Sequence, residues 1–510
     1  MSRVHRGRWP IIEPQLSRTE DRDETMNPAG RGARSPSSRS GDFMSAERVT
    51  AQYNEEFRTP GSDLPTVAEH VKNFPTLAAW HGEHLARPLF VAEREIRDFG
   101  DDLQHLLEIL LSLPDRMFGS DLESFRSVLG ISDGHWEAIR QLGDEMPPHY
   151  GRADMYHDGT SFKLLEFNLG SEAGGWGLAG EIARATMEVD DFAGFARRNR
   201  LGYLHPARAA AEALRRFGAQ VAPGRAPVVA MLEWRGGLTD YGAAWRNEQS
   251  ALRWAGLDIL MAEISDVHER GGALYLGDTK IDVVLRAFVP DQIAEEPDGW
   301  DLVAPLLRAY RAGGTLLWTP LSSNMFANKA CMALLSDPAR RRSLSADECR
   351  LIDRVLPWTR LINTDALKTD TDLVDACLER REQLILKVNA RGGGAGAVVG
   401  WETDDATWRR ALEDSAAEGC VVQQRVVPRP ELVVDPVSGE TEAWHAAYGM
   451  FYTPLGCAGV FAKMVPAGSS GIISILSQVK ARSAAVFQQS ELPAGGEVPA
   501  TGELPADAAK

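Results

Sequence analysis

The segment from Arg152 to Asn168 places a cation, two carboxylates and an amide at alternate positions of two predicted strands. Side chains two positions apart on a strand lie on the same face, so Arg152 shares a face with Asp154, and Glu166 shares one with Asn168. Mg²⁺ in proteins is typically held by one or two carboxylates together with phosphate oxygens and water. If the two faces coincide, Asp154, Glu166 and Asn168 form a magnesium site beside the Arg152 guanidinium.

The turn between the two strands decides whether their faces coincide. A two-residue turn at Asp158-Gly159 would set Arg152 opposite Leu165 and turn the polar pairs to opposite faces. A three-residue loop, with Gly159 in the left-handed conformation, would set Arg152 opposite Glu166. A metal site therefore requires a three-residue loop or a β-bulge. The alternative is a solvated strand end, because Glu, Asn and Asp are common near turns.

A second cluster of candidate residues follows the apolar strand LILKV. Lys387 lies at its end, and the next segment is glycine-rich, with Gly393, Gly394 and Gly396 as candidate nucleotide-binding positions. Glycines let backbone N–H groups approach phosphate, and a lysine on a strand can reach the same oxygens. This segment contains neither a Walker A loop nor a G-x-G-x-x-G motif, because Val399 stands where the last glycine would be needed. A flexible hairpin loop with an exposed lysine is the alternative.

Two further segments could contact a nucleotide. CVVQQRVVP, with Gln423, Gln424 and Val426, is a strand that becomes irregular before a proline, which frees backbone groups to pair with an adenine edge. Core strands of this composition are also common. Lys329 lies near a predicted helix start, where a cation is unfavourable unless an anion is close. A surface lysine is the alternative at that position.

Composition is that of an ordinary globular protein and excludes several function classes. Of 510 residues, 44% are hydrophobic and 25% are charged. The net charge of -17 argues against nucleic acid as the main ligand, since nucleic-acid binding uses clustered Lys and Arg. No apolar run reaches the ~18 residues that span a bilayer. Five scattered cysteines and the lack of a secretory signal pattern lead us to expect a cytoplasmic protein without a membrane partner.

Patterns along the chain predict an α/β protein with α+β elements and two or three cores. Leucines spaced from Leu103 to Leu110 predict helices, and alternating strands and helices after Pro206 predict an open α/β unit. We divide the chain into a disordered N-terminal segment (1–45), a helical region (46–150), a metal-binding hairpin region (151–199), a Rossmann-like α/β unit (200–320), a nucleotide-binding part (321–477) and a disordered tail (478–510).

These segments together resemble the circularly permuted branch of the ATP-grasp superfamily, typified by glutathionylspermidine synthase. Arg152-x-Asp154 followed by Leu-Glu166-Phe-Asn168 is similar to the R-x-D … L-E-[FY]-N metal motif of that family. In ordinary ATP-grasp enzymes the lysines, glycine loop and hinge precede the metal motif. Here Glu166 and Asn168 come first, as in the permuted branch.

Other parts of the resemblance are less regular. The segment with Lys329 is similar to the S-N-K segment of the family, that with Lys387 to its V-K-P-x-x-G-R-x-G loop, and VVQQRV to its adenine hinge. Val388-Asn389 replaces the usual proline. The late arginine of the family appears here as Lys463. The Cys/His amidase of some bifunctional relatives is not matched, because residues 1–150 hold no cysteine.

The resemblance covers about 150–475 and implies a circularly permuted ATP-grasp fold with ATP and Mg²⁺ as cofactors. Such enzymes phosphorylate a carboxylate, and an amine then displaces phosphate to give an amide. It implies catalytic roles for Arg152 and Lys463 and nucleotide contacts for Lys329 and Lys387. An ATP-dependent carboxylate–amine ligase acting on small molecules is therefore the predicted function.

Two arginines of the α/β unit are candidate anchors for a substrate carboxylate. Arg286 lies on the strand VVLRAF, and Arg235 follows the first strand of the unit, where α/β sheets bind ligands. An edge-strand charge is the alternative for Arg286. A phosphotransferase that stops at a phosphorylated product, or a degenerate nucleotide-binding protein, are the alternative functions. Neither the substrates nor the oligomeric state follows from the sequence.

Overall fold

A computed structural model describes residues 46–77, 82–142, 149–389, 396–469, 471–473 and 480–490. The predicted disordered segment 1–45 and the glycines Gly393 and Gly394 lie outside these residues. No helix among the described residues combines the length and apolar character needed to cross a membrane.

The N-terminal region is helical, as its leucine pattern predicts, with one strand that the pattern did not predict. Ile96, Phe99, Leu103 and Leu110 form the buried face of the longest helix of this region. The elements are α1 (Ala46–Phe57), α2 (Val67–Lys72), β1 (Leu89–Ala92), α3 (Glu93–Leu111), α4 (Leu113–Phe118), α5 (Leu122–Leu129) and α6 (Asp133–Leu142).

A hairpin and the predicted α/β unit follow. The first group of elements is β2 (Gly151–His157), β3 (Phe162–Leu169), α7 (Trp176–Met187), α8 (Asp190–Arg198) and β4 (Leu201–Gly202). The α/β unit contains α9 (Pro206–Gly218), β5 (Val229–Glu233), α10 (Gly237–Trp254), β6 (Ile259–Glu263), β7 (Val267–Arg270), β8 (Ala273–Leu276), β9 (Thr279–Ile281), β10 (Val283–Arg286), α11 (Pro290–Glu295), α12 (Gly299–Ala312) and β11 (Leu316–Trp318).

The remaining elements form a small antiparallel sheet and complete the largest one. They are α13 (Ser323–Ala327), α14 (Ala330–Ser336), α15 (Ala346–Val355), β12 (Thr359–Ile362), α16 (Thr364–Thr369), α17 (Thr371–Glu379), β13 (Leu384–Val388), β14 (Val398–Val399), α18 (Asp405–Ala416), β15 (Cys420–Gln424), β16 (Pro430–Val434), β17 (Thr441–Thr453), β18 (Gly456–Pro466) and β19 (Arg482–Gln489).

The largest sheet carries the hairpin and has the order β1-β19-β18-β17-β2-β3, with β16 on β17 and β4 on β19. One face packs on α3, where the rings of Phe99 and Phe162 lie 5.5 Å apart. At β17–β19 the other face packs on α7, α8 and α9. Both faces are therefore covered where the sheet is widest, which explains the long apolar runs in β17 and β19.

The α/β unit has the parallel sheet β11-β10-β5-β6 that alternating strands and helices predict. Its four strands are mostly buried, and β7-β8-β9 form a separate antiparallel sheet. The third unit is the antiparallel sheet β12-β15-β13-β14. It has its own small core, in which the side chain of Trp408 is completely buried.

The prediction of a disordered tail from residue 478 is wrong for residues 482–489. They form β19, which pairs with β18, β1 and β4 and lies next to the edge strand β1 of the largest sheet. The run AAVF within it is completely covered by both helical layers. The surrounding Gln, Ser and Pro residues gave the segment the composition of a disordered tail. The short apolar run within it is stabilised by strand pairing, which composition does not indicate.

The hairpin β2–β3 contains the β-bulge that a coincident polar face requires. Asp154 lies opposite Glu166 but Met155 lies opposite Leu164, so Leu165 is the extra residue. The loop is four residues long, because His157 pairs with Phe162. Of the two devices that a shared polar face allowed, the hairpin uses the bulge and not the three-residue loop. Arg152 lies opposite Asn168 rather than opposite Glu166, as the three-residue loop would have set it.

We predict that Phe487→Ala lowers the free energy of unfolding by about 3–5 kcal/mol, the usual cost of removing a buried aromatic side chain. Phe487 is completely buried, and its ring lies 4.7 Å from that of Phe192. Chemical denaturation measures the change. Val437→Ala is the control, because Val437 is 94% exposed. Equal stability of the two variants would contradict the placement of β19.

Candidate active site

Arg152 and Asp154 form the centre of the polar face of the hairpin. The guanidinium binds the carboxylate through two hydrogen bonds, Nε to Oδ1 at 2.6 Å and Nη2 to Oδ2 at 3.1 Å. Burial alone would raise the pKa of Asp154, but the charges of Arg152 and Lys463 outweigh it and hold that pKa at about 2. Asp154 is therefore a carboxylate throughout the physiological pH range.

Lys463 reaches the same carboxylate from β18. Its Nζ lies 3.6 Å from Asp154 Oδ2, and the strand β17 runs between the two residues. Burial lowers the pKa of Lys463, and the charge of Asp154 opposes that shift. Lys463 and Arg152 thus bind the same carboxylate.

Glu166 pairs with Lys329, as expected if a lysine near a helix start needs an anion. Lys329 precedes α14, is 6% exposed, and its Nζ lies 3.1 Å from Glu166 Oε1. The segment from α13 to α14 therefore lies against the hairpin. Asn168 lies on the same face as Glu166. It pairs with Arg152, and Glu166 pairs with Asp154.

Lys387 reaches the hairpin from β13 of the small antiparallel sheet. Its Nζ donates to Gln423 Oε1 at 2.7 Å and to the carbonyl of Leu165 at 3.1 Å. The bulge thus supplies the carbonyl that receives this ammonium. Burial lowers the pKa of Lys387 to about 8, against the opposing charge of Glu166. Lys387 is therefore only partly protonated in mildly alkaline solution.

The residues of the predicted hinge differ in burial and in their contacts. Gln423 is completely buried and its side chain links Lys387 to the hydroxyl of Thr359, with Nε2 3.2 Å from Oγ1. Gln424 is exposed and ends β15, and the segment with Val426 follows outside regular structure. The side chain of Gln423 is thus already bound within the protein. Gly396 has a φ of +71°, which favours glycine.

Glu166 and Asn168 carry donor groups that fit a magnesium ion, whereas Asp154 is bound by Arg152 and Lys463. Among the described residues, no group of three or more His, Cys, Asp or Glu side chains could hold a metal ion. Both oxygens of Asp154 already face cations. Glu166 has Oε1 against Lys329, and Asn168 adds an amide on the same face. That pair suits an ion whose other ligands are phosphate oxygens and water.

Two features of the site carried little sequence signal. Gly449 of β17 lies under the aliphatic part of Arg152, where an added Cβ would be 2.9 Å from Arg152 Cδ and 2.6 Å from the ring of Phe461. A glycine inside an apolar strand can indicate such a close approach. Glu248 of α10 lies near the site at 3% exposure and resembles any other helical glutamate in sequence.

The two arginines proposed as substrate anchors are bound by the protein itself. Arg286 is completely buried, and its donors are taken by Glu172 at 2.8 Å, Ser323 at 3.2 Å and the carbonyls of Thr319 and Phe288. This arginine ties the end of β10 to the segment after β3. We do not retain it as a substrate residue.

Arg235 is half-exposed and is also engaged. It forms ion pairs with Glu296 at 2.8 Å and Asp298 at 2.6 Å. A substrate carboxylate would have to compete with two protein carboxylates, so we do not retain Arg235 either. Strand-end position alone did not reveal these acidic neighbours.

Comparison with solved structures supports the predicted fold class. The chain matches a glutathione synthetase-like effector from Globodera pallida in its apo form with a TM-score of 0.56, at 13% identity, over 85% of this chain and 98% of that one. A chain assigned as a gamma-glutamylcysteine synthetase from Methylobacillus flagellatus gives 0.37 at 14% identity over 72% and 83%. The structure is thus a mixed α/β fold that is similar to the fold of the first of these proteins. No family model and no curated protein matches the sequence.

We predict that Asp154→Asn lowers the free energy of unfolding by about 2 kcal/mol at neutral pH, since each unit of pKa shift corresponds to about 1.4 kcal/mol. The pKa is lowered in the folded state, so this stabilisation is present above the unfolded value near 3.8 and is lost as pH falls toward 2. Urea denaturation over a pH series measures it.

The control for this experiment is Asp98→Asn. Asp98 also pairs with arginines, but its side chain is 58% exposed, so we expect a change below about 0.5 kcal/mol. A difference between wild type and Asp154→Asn that stays constant as pH falls from neutral toward 2 would contradict the assignment of the lowered pKa to Asp154.

Proposed function

We propose that this protein is an ATP-dependent carboxylate–amine ligase of the circularly permuted ATP-grasp type. One observation carries the proposal: four cationic side chains from four separate segments converge on the two hairpin carboxylates. They are Arg152, Lys329, Lys387 and Lys463 around Asp154 and Glu166. An excess of buried positive charge in a chain with a net charge of -17 is suited to a triphosphate.

Lys329 and Lys387 bind the phosphates of ATP in this proposal. Both ammonium groups lie at the hairpin, although they come from separate segments of the chain. The backbone around Gln424 and Val426 pairs with the base. These roles follow the resemblance and the position of the residues around the lysines.

Glu166 and Asn168 are the residues that would hold Mg²⁺. When bound, the ion neutralises charge that develops on the transferred phosphoryl group. Asp154 then acts through its cations, because it fixes Arg152 and Lys463. Lys329 pairs with Glu166 in this structure and would exchange that partner for a phosphate oxygen when ATP binds.

Arg152 and Lys463 orient the reacting carboxylate. An oxygen of the substrate carboxylate attacks the γ-phosphorus, and the bond to ADP breaks. The amine nitrogen then attacks the acyl carbon, and the C–O bond to phosphate breaks as the amine loses a proton. A guanidinium that is always protonated stabilises the anionic oxygens in both steps.

We predict that purified protein with Mg-ATP, a pool of carboxylates and hydroxylamine forms both hydroxamate and ADP. Hydroxylamine replaces the amine and traps an acyl phosphate. Lys387→Ala and Glu166→Ala each reduce the rate about 100-fold or more, because the first removes a cation that stabilises the transition state and the second removes a ligand for Mg²⁺. Colorimetric hydroxamate detection and coupled ADP assays measure the two products.

Matched controls are Lys368→Ala and Glu413→Ala, which remove the same charges from exposed positions. Both should retain wild-type rates. ADP without hydroxamate would contradict the ligase and favour the phosphotransferase alternative. The absence of both products, together with no binding of Mg-ATP, would contradict nucleotide chemistry at this site.

We predict that the affinity for Mg-ATP falls as pH rises above about 8, by about tenfold per pH unit. Lys387 must be protonated to bind phosphate, and burial has lowered its pKa to about 8. Isothermal titration calorimetry in buffers of different ionisation enthalpy should also detect proton uptake on binding. Lys387→Arg keeps its charge and should remove this dependence. An unchanged slope in Lys387→Arg would contradict the assignment.

A further inference from the structure

A glycine turn connects the catalytic hairpin to α7 and supplies contacts to Arg152. Gly174 and Gly175 have φ angles of +53° and +87°, which favour glycine. The carbonyls of Ala173 and Gly174 accept hydrogen bonds from Arg152 Nη1 at 3.1 and 3.2 Å. With Asp154 on its other nitrogens, the guanidinium is therefore oriented by one carboxylate and one turn.

Glu248 of α10 binds the same turn from its opposite side. Its Oε1 accepts a hydrogen bond from Gly175 N and its Oε2 accepts one from Gly177 N, both at 2.5 Å. The fit leaves no room for a side chain, since a Cβ on Gly177 would lie 2.6 Å from Glu248 Oε2. The turn is thus held between a buried guanidinium and a buried carboxylate.

We propose that Glu248 is a positioning residue of the ligase site, which fixes the glycine turn so that its carbonyls orient the Arg152 guanidinium. This inference rests on the proposed function, because it assigns Glu248 to the group that holds the reacting carboxylate. Glu248 acts through Arg152, so its removal should alter the chemical step more than nucleotide binding.

The backbone N–H groups of Gly175 and Gly177 require two hydrogen-bond acceptors at the position of the Glu248 side chain. Both N–H groups point at one side chain that is 3% exposed, where water cannot replace a lost partner. Burial raises the pKa of Glu248, whereas the two backbone N–H donors and the charge of Arg152 oppose that shift. Both oxygens accept an N–H group, and this geometry requires the carboxylate form. A glutamine of the same shape provides one acceptor and sets its NH₂ group against the second N–H.

The experiment compares Glu248→Gln with Glu263→Gln. Glu263 is a matched control, because its two oxygens also accept N–H groups of a glycine turn, from Gly236 at 2.9 Å and Leu238 at 3.1 Å, without contact to Arg152. We expect kcat to fall about 100-fold in Glu248→Gln, the scale of a misplaced catalytic group, with an unchanged KM for ATP. Glu263→Gln should keep its kcat.

A double-mutant cycle separates positioning from a general structural effect. In the Arg152→Ala background, Glu248→Gln should change kcat by less than about twofold, because the group that it positions is gone. An equal fall of kcat in both backgrounds would overturn the proposal.

A second measurement tests the inference if the wild-type protein shows no ligase activity, a result that would by itself refute the proposed function. NMR of arginine side chains should show a slowly exchanging Arg152 Nε–H in the wild type and in Glu263→Gln. Exchange should be at least about tenfold faster in Glu248→Gln. Equal exchange in all three proteins would overturn the positioning role.

Discussion

Charge balance on the hairpin is the interaction on which the rest of the site depends. Asp154 lies between Arg152 and Lys463, and Glu166 neutralises Lys329. A buried charge without a partner is strongly destabilising, so each carboxylate determines which cations the surrounding elements can bring in. The two carboxylates do not balance all four cationic side chains, so positive charge remains for a bound triphosphate in the proposed function. Stability of the ligand-free protein and affinity for an anion thus come from one set of residues.

The β-bulge places the charged residues of the hairpin on one face. It turns Asp154, Glu166, Arg152 and Asn168 to one face, while the apolar residues before and after it stay in the core. The carbonyl of Leu165, the extra residue, then receives Lys387 from a different sheet. A local irregularity of the backbone therefore joins two sheets at the point where the proposed chemistry takes place.

Much of this arrangement could be predicted from the sequence. Alternation in the hairpin and the strand–helix pattern depend on local periodicity, and the structure contains both. The engagement of Arg286 and Arg235 could not be predicted, because their partners lie elsewhere in the sequence. Strand β19 was missed because its pairing is long-range. Glu248 was missed because the sequence around a helical glutamate does not show which groups its side chain contacts.

The central claim is that the hairpin and the two lysines form one Mg-ATP site. A crystal structure with Mg²⁺ and a non-hydrolysable ATP analogue tests it most directly. The account predicts phosphates in contact with Lys329 and Lys387, and a metal ion on Glu166 and Asn168. Nucleotide bound elsewhere, or a metal ion without contact to Glu166, would contradict it.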